Sequence, residues 1–408
     1  MATKVLVVGA SLGGLRAAEQ LRAAGWAGDI TVVGEEPLMP YNRPPLSKDV
    51  LANRTEPPLE VEHVGLAFRV RKSLDDVTWK LGVSAKAADL GRGTVALSDG
   101  SHERFAGLVV ATGLRPRRLA LPGPEAGRHV VRTLEDARRL RTDLVRGARV
   151  VVVGGGFIGC EVAATAIRVG CRVTVVEPAA VPMGRPLGSR VGRVVQRYHE
   201  SAGVTFHVGR AVVAIEGAQR VVGVELDEGS RLGADVVVEA IGARPNVEWL
   251  AGNGLDLSDG VLCDNHLRVE GLTNVVAVGD IARFPNPTAD GVPRRVEHWG
   301  VPADTAKRAG RTLVDALSGR MPDLVPFAPI PSFWSDQFDL RIQGFGAPVL
   351  ADKVEVLEGD LDSGSLRAGV VIGYLKNDRL VGVGLINLPA RAAYYRDAVA
   401  AATTTAAA

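Results

Sequence analysis

Two glycine-rich turns, each lying between two runs of β-branched residues, constrain this chain more than any other feature. The first turn follows residues 4–8 and the second follows residues 149–153; the apolar runs after them end near Glu35 and Glu177. Strand, glycines, helix, strand and acid, in this order, form a unit that binds one dinucleotide. Glycines let the backbone approach a pyrophosphate at a helix N-terminus, and the acid accepts hydrogen bonds from a ribose. Two such units predict two bound dinucleotides. This is the arrangement in which a nicotinamide cofactor reduces a bound flavin.

The two turns supply the first candidate binding residues. In the first turn Ser11 stands where the second glycine of the usual pattern lies, and serine is small enough to keep the approach open. The candidates are Gly9, Ser11, Gly13 and Gly14 in the first turn, and Gly154, Gly156, Phe157, Ile158 and Gly159 in the second.

Composition excludes several other classes of protein. The chain has 408 residues, 46% of them hydrophobic and 23% charged, which is an ordinary soluble composition for two or three domains. We expect no membrane span and no signal peptide, and a net charge of +2 gives no reason to expect nucleic-acid binding. Cys160, Cys171 and Cys263 have no metal-like spacing. They favour a reducing, cytoplasmic location, and no metal site is expected.

A motif that occurs twice indicates how the units are connected. Residues 113–116 and 242–245 share the pattern Gly-x-Arg-Pro, which suggests that one unit is inserted into the other. Short alternating segments after about residue 325 predict an antiparallel sheet. The predicted domains are 1–113 with 245–324, the inserted 114–244, and a C-terminal α+β domain at 325–408.

The order of these motifs resembles the FAD-dependent pyridine nucleotide–disulfide oxidoreductase superfamily across nearly the whole chain. Within it, the chain is similar to the oxygenase-coupled ferredoxin, putidaredoxin and rubredoxin reductases. The resemblance lies in the two Gly-x-Arg-Pro stretches and in residues 41–48, 278–280, 297–299 and 332–337. It implies an α/β, glutathione-reductase-like fold with two Rossmann-like domains, the discontinuous one for FAD and the inserted one for NAD. The chain departs from the family pattern at residues 300–305, where flavin-ring contacts are expected.

The resemblance also assigns the FAD site. Glu35 would bind the ribose of FAD and Asp280 its ribityl chain, while Arg43 and Lys48 would run beside the isoalloxazine. Trp299 and Trp334 would shield the ring, although both could instead be core aromatics. The other FAD candidates are Ala111, Thr112, Gly113, Val296, Glu297 and His298.

The NAD site follows in the same way. Glu161 would lie beside the nicotinamide and pair with Lys48, and these two are the predicted catalytic residues. Gly242 is a further NAD contact. Glu177 favours NADH, because an acid accepts the ribose hydroxyls and repels a 2′-phosphate. Arg185 is the nearest arginine downstream, and it weighs only weakly against this preference.

The predicted activity is that of an NADH-dependent ferredoxin reductase. Disulfide reductases of the superfamily carry reactive cysteines in the first unit, but this chain has no cysteine before residue 160. Electrons would therefore leave FAD directly for a [2Fe-2S] ferredoxin that serves a haem-thiolate monooxygenase or a ring-hydroxylating oxygenase. The alternatives are an NADH oxidase or small-molecule reductase, and a redox-sensing interaction protein of the apoptosis-inducing-factor type.

Small iron–sulfur carriers are generally acidic, so we expect the ferredoxin to dock on a basic surface near the flavin edge. We expect the reductase itself to be a monomer or a weak dimer. The candidate basic residues are Arg294, Arg295, Lys307, Arg308 and Arg311.

Overall fold

In the computed structural model, which describes residues 4–55, 57–361 and 366–404, the first glycine-rich unit forms a parallel sheet. The strands are almost wholly buried near the centre of the sheet, as expected where helices cover both faces. In spatial order the strands are Val275–Ala277, Gly107–Val110, Val5–Val8, Ile30–Gly34 and Thr78–Leu81.

Elements from both ends of this unit surround the sheet. Helix Leu12–Ala23 packs against helix Val301–Leu317, and a Cβ atom at Gly310 would lie 2.9 Å from Gln20. Two short helices, Asp49–Ala52 and Leu59–Leu66, follow the second strand of the chain. The smaller sheets contain Ala85–Asp89, Thr94–Leu97 and His102–Arg104, and Val261–Leu262 with Ala282–Arg283.

The second glycine-rich unit repeats this design. Its parallel sheet has the spatial order Thr205–Val208, Arg172–Glu177, Arg149–Val153, Val236–Glu239 and Arg128–His129. Its helices are Leu134–Asp143, Phe157–Val169, Gly184–Leu187 and Ser189–Ser201. An antiparallel sheet contains Val212–Glu216, Gly223–Leu226 and Arg231–Gly233.

The two Gly-x-Arg-Pro stretches meet where the chain passes between the units. Strand Leu114–Pro116 pairs antiparallel with Ala243–Pro245. The Thr112 hydroxyl donates to the Asn246 carbonyl at 2.8 Å, and the Asn246 amide donates back to the Thr112 carbonyl at 2.9 Å. The entry and exit of the second unit are thus fastened to each other, which supports the proposed domain boundaries near 114 and 244.

The C-terminal region contains the predicted antiparallel sheet, and helix Ala392–Thr404 covers it. Leu340, Ile342 and Ile372 pack in one apolar cluster with Val191 and Val195 of the second unit. Strand Ser332–Gln337 is thereby placed at the junction of the domains. In spatial order the strands are Ser332–Gln337, Leu340–Gly346, Arg379–Ile386, Val370–Lys376 and Lys353–Glu358. None of the described helices is long and apolar enough to cross a membrane.

Candidate functional site

A cavity of about 630 Å³ opens beside the carboxyl ends of the first parallel sheet, where open α/β sheets bind ligands. Its lining includes several residues that the sequence assigned to FAD. These are Gly9, Ser11, Glu35, Arg43, Ala111, Thr112 and Gly113.

The glycines allow each helix to begin against the end of its strand. A Cβ atom at Gly14 would lie 1.8 Å from the carbonyl oxygen of Gly9, and one at Gly159 would lie 2.0 Å from that of Gly154. Only glycine fits at either position, and the two turns are built alike. The free N–H groups of the first helical turn can then bind a pyrophosphate. Both turns therefore fit a dinucleotide.

Arg43 explains why serine is accommodated in the first turn. Its guanidinium donates to Ser11 Oγ at 3.2 Å and to the Arg132 carbonyl oxygen at 2.6 Å, and it forms an ion pair with Glu36. The Tyr41 hydroxyl donates to Glu36 as well, at 2.5 Å. This network fixes the Arg43 guanidinium beside the first glycine turn.

Several residues that line this cavity were not predicted from the sequence, among them Glu36, Val83 and Arg132. Glu36 follows directly on the predicted Glu35, so its position in the chain was a usable signal. Arg132 lies after the short strand Arg128–His129, which brings it near the first unit, and no sequence pattern marks it.

Asp280 is suited to accept hydrogen bonds from ligand hydroxyls. It lies in the 3₁₀ turn Gly279–Ile281, and burial raises the pKa of its carboxyl group to about 6. Among the described residues its carboxylate has no hydrogen-bond donor, only Arg132 at 3.8 Å. A buried carboxylate whose charge is so little compensated by the protein is suited to accept hydrogen bonds from the ribityl hydroxyls, the role predicted for Asp280 from the sequence.

The structure brings Lys48 and Glu161 together across the two units. Lys48 Nζ lies 2.6 Å from Glu161 Oε2, and the Glu161 side chain is only 4% exposed. Ser47 donates to the same oxygen at 2.6 Å, while Ser335 donates to Oε1 at 2.7 Å. Glu161 thus joins the first unit, the second unit and the C-terminal sheet. Neither serine was predicted as a site residue.

Aromatic rings from three parts of the chain meet around Phe333. Phe157 of the second glycine turn lies 4.9 Å from Phe333, and His298 lies 5.3 Å from Phe333, between ring centroids. Burial lowers the pKa of His298 to about 4, so this ring is neutral near pH 7. The ring centroids of Trp299 and Phe68 lie 6.3 Å apart.

The remaining FAD candidates lie outside this ring cluster. Glu297 forms an ion pair with Arg295. Val296 and Trp334 are half-buried, and Trp334 lies on the strand that carries Ser335. The roles proposed for these residues toward a flavin remain predictions.

Glu177 closes the second glycine turn. Its carboxylate accepts from the backbone N–H of Gly155 at 2.5 Å and from that of Ala179 at 2.8 Å. Ile158 is 47% exposed at the start of the helix, and Gly242 has a positive φ of 90° with open space around it. Arg210, which the sequence did not mark, follows the neighbouring strand, and its N–H donates to the Glu177 carbonyl at 3.3 Å.

The cysteines take no part in the site. Cys160, Cys171 and Cys263 are free thiols and all are buried. Burial raises the pKa of each thiol, which disfavours the reactive thiolate.

The expected basic surface is largely neutralised by carboxylates. Arg308 is 9% exposed and pairs with Asp323, while Arg311 pairs with Asp315. Arg294 pairs with Asp290, and Arg295 with Asp259 and Glu297. Of the five candidate basic residues, only Lys307 has no ion pair within the described part of the chain, and its side chain is exposed.

Comparison with known proteins identifies the family of this chain. Residues 3–306 match the model of the pyridine nucleotide-disulphide oxidoreductase family, and residues 332–408 match that of the reductase C-terminal family. Putidaredoxin reductase of Pseudomonas putida is 33% identical over 94% of this chain and 89% of its own length. The ferredoxin–NAD(+) reductase component of the anthranilate 1,2-dioxygenase system of Burkholderia cepacia is 36% identical, with 94% and 90% covered.

A solved structure extends the likeness to three dimensions. The covalent putidaredoxin reductase–putidaredoxin complex matches with a TM-score of 0.86 and 32% identity, covering 97% of this chain and 92% of that one. The fold, the enzyme class and the cofactors predicted from the sequence are confirmed: this is an oxidoreductase that uses FAD and NAD(H). The chain belongs to the pyridine nucleotide-disulphide oxidoreductase family.

Proposed function

We propose that this chain is an NADH-dependent ferredoxin reductase, which passes electrons from NADH through FAD to a [2Fe-2S] ferredoxin. The observation that carries the proposal is the Lys48–Glu161 ion pair, which links the two dinucleotide units without any thiol between them. The relatives' names support the acceptor, since they include ferredoxin–NAD(+) reductase components and a putidaredoxin reductase.

The residues of the chain bind and orient, while the bound cofactors supply the redox chemistry. When bound, these cofactors would supply hydride transfer from NADH and the release of single electrons to the carrier. The first glycine turn and Arg43 hold one pyrophosphate, and Asp280 accepts hydroxyl hydrogen bonds. The Lys48 ammonium group would stabilise negative charge on the reduced flavin, and Glu161 holds that ammonium group in position.

Glu177 selects the nicotinamide cofactor in this proposal. Its carboxylate is already oriented by two backbone N–H groups, so it presents its remaining lone pairs to a ribose. A 2′-phosphate there would meet a fixed negative charge. Arg210 lies beside Glu177 through a backbone hydrogen bond, but its side chain pairs with Glu228 at 2.7 Å.

The ferredoxin would dock through the cations that lack carboxylate partners. Lys307 lies on the helix that starts after Trp299, and Arg69 follows Phe68, whose ring contacts Trp299. Arg69 and Lys307 are exposed and have no ion pair among the described residues. The proposed docking surface is therefore smaller than the basic surface expected from the sequence.

A comparison of acceptors tests the proposal. With NADH as donor, the enzyme should reduce a [2Fe-2S] ferredoxin much faster than it reduces oxygen or a small disulfide. A variant with Cys160, Cys171 and Cys263 all changed to serine or alanine should keep this activity if it folds. Faster turnover with oxygen would favour the NADH oxidase alternative, and loss of turnover in a folded thiol-free variant would indicate a disulfide reductase.

A further inference from the structure

A line of buried polar side chains runs from Glu161 through the C-terminal sheet and back into the second unit. Ser335 Oγ donates to Glu161 Oε1 at 2.7 Å, and the Gln337 amide nitrogen lies 3.0 Å from Ser335 Oγ. His199 Nε2 lies 2.8 Å from Gln337 Oε1. Ser335, Gln337 and His199 are each 0% exposed. The line therefore has no access to water at its centre.

The chemistry of the groups fixes the direction of these hydrogen bonds. The Gln337 amide nitrogen can only donate, so it occupies a lone pair of Ser335 and the serine hydroxyl proton goes to Glu161. Gln337 Oε1 can only accept, so His199 carries its proton on Nε2. Burial lowers the pKa of His199 to about 4, and the ring stays neutral near pH 7. Every donor in the line points toward the Glu161 carboxylate.

The two carboxylate oxygens of Glu161 consequently have different partners. Oε2 is bound by Lys48 and Ser47 of the first unit, whereas Oε1 is bound by Ser335. Without Ser335, Oε1 would be a buried acceptor with no donor, and the carboxylate would carry more uncompensated negative charge beside Lys48. Its orientation toward Lys48 would also be less constrained.

We propose that Ser335 is a positioning residue, which holds the Glu161 carboxylate against Lys48 and thereby lets the C-terminal domain set the charge at the hydride-transfer site. Gln337 and His199 lock the serine hydroxyl in the required direction. This inference rests on the proposed function, in which Lys48 and Glu161 act beside the flavin.

Ser335→Ala tests the inference in the FAD-containing enzyme. We expect flavin reduction at saturating NADH to slow by about 10-fold, by analogy with the loss of a hydrogen bond that orients a metal ligand, with the Kd for NADH changed less than about threefold. The flavin midpoint potential should become more negative, because the uncompensated carboxylate disfavours an anionic reduced flavin. Ser335→Thr, which keeps the hydroxyl, should restore both properties.

Tyr374→Phe is a matched control. Its hydroxyl is also buried in the C-terminal sheet and donates to the second unit, at Leu187 O, but it does not lead to Glu161. This variant should lose comparable thermal stability while its flavin potential stays unchanged. An equal shift of potential in both variants would overturn the inference and assign the effect to domain docking.

Glu161→Ala distinguishes a failure of the Ser335 positioning role from a failure of the proposed role of the Lys48–Glu161 pair. If Glu161→Ala changes the rate and the potential but a folded Ser335→Ala does not, the positioning role is wrong and the proposed function stands. If Glu161→Ala changes neither, the role of the Lys48–Glu161 pair fails, and the inference falls with it. If Ser335→Ala adds nothing in the Glu161→Ala background, the serine acts through the glutamate, as proposed.

Discussion

At the scale of single residues, charge placement decides what this site can do. Lys48 is 18% exposed and Glu161 4%, so their ion pair is shielded from solvent and acts more strongly than a surface pair would. The family resemblance pointed to both residues, and the structure brings them together. The resemblance included Ser335 within residues 332–337 but gave it no role, because its contact with Glu161 depends on how the C-terminal sheet docks against the second unit.

Lys48→Met should remove the positive charge with little loss of side-chain volume. We expect flavin reduction at saturating NADH to slow about 10-fold or more, while the Kd for NADH changes little, because the charge matters most as negative charge develops. Stopped-flow absorbance of the flavin measures both quantities. Lys353→Met, at an exposed strand edge, is the control and should behave like the unmodified enzyme.

Glu177 gives a prediction about cofactor choice. The unmodified enzyme should prefer NADH over NADPH by at least about tenfold in kcat/KM, which is about 1.4 kcal/mol. Glu177→Ala should narrow this preference, mainly by weakening the use of NADH, because the ribose hydroxyls lose their acceptor. Steady-state kinetics with both cofactors measures it. Equal use of the two cofactors by the unmodified enzyme would show that Glu177 does not read the ribose.

At the scale of elements, the two glycine turns are equivalent devices in separate sheets. The sequence predicted both from the order of strand, glycines, helix and acid, which is a local pattern. The repeated Gly-x-Arg-Pro motif suggested that one unit is inserted into the other, but the antiparallel pairing of Leu114–Pro116 with Ala243–Pro245 was not predicted. The polar line through His199 was not foreseen, since its members lie on separate elements with unrelated local patterns.

Alanine substitutions in the two turns should therefore have separable effects. Gly159→Ala places a methyl group 2.0 Å from the Gly154 carbonyl, so NADH should no longer reduce the flavin, while FAD stays bound and dithionite still reduces it. Gly14→Ala creates the same clash with Gly9 and should yield a protein that loses FAD. Absorbance spectra of the purified variants distinguish these outcomes.

Gly65→Ala is the control for both substitutions. Gly65 lies inside helix Leu59–Leu66 and a Cβ atom there meets no other atom within 4 Å. Alanine favours a helix by about 1 kcal/mol over glycine, so this variant should be as stable as the unmodified protein or more so. Loss of FAD in Gly65→Ala would show that the site is sensitive to any change in this region.

At the scale of the whole molecule, side chains of three domains meet at the Glu161 carboxylate. The net charge of +2 does not show which cations are paired with carboxylates and which are free. The sequence identified the cations, and the i,i+4 spacing of Arg294 with Asp290 and of Arg311 with Asp315 was a usable sign of ion pairs. The partners of Arg295 and Arg308 lie farther away in the chain, so the fold is needed to find them.

Ferredoxin reduction should therefore slow steeply as ionic strength rises, whereas reduction of the flavin by NADH should change little. Lys307→Glu should raise the KM for ferredoxin without changing the rate of flavin reduction. Lys353→Glu is the matched control, because Lys353 is 52% exposed but lies at the outer strand of the C-terminal sheet. Similar KM values in the two variants would remove Lys307 from the docking surface.

The central claim is that one chain carries electrons from NADH through FAD to a one-electron carrier. An anaerobic stopped-flow experiment that mixes the FAD-loaded enzyme with one equivalent of NADH and excess oxidised [2Fe-2S] ferredoxin tests it most directly. The account predicts rapid loss of flavin absorbance, followed by reduction of two ferredoxin molecules for each NADH consumed. Flavin that is reduced by NADH but retains its electrons in the presence of ferredoxin would contradict it.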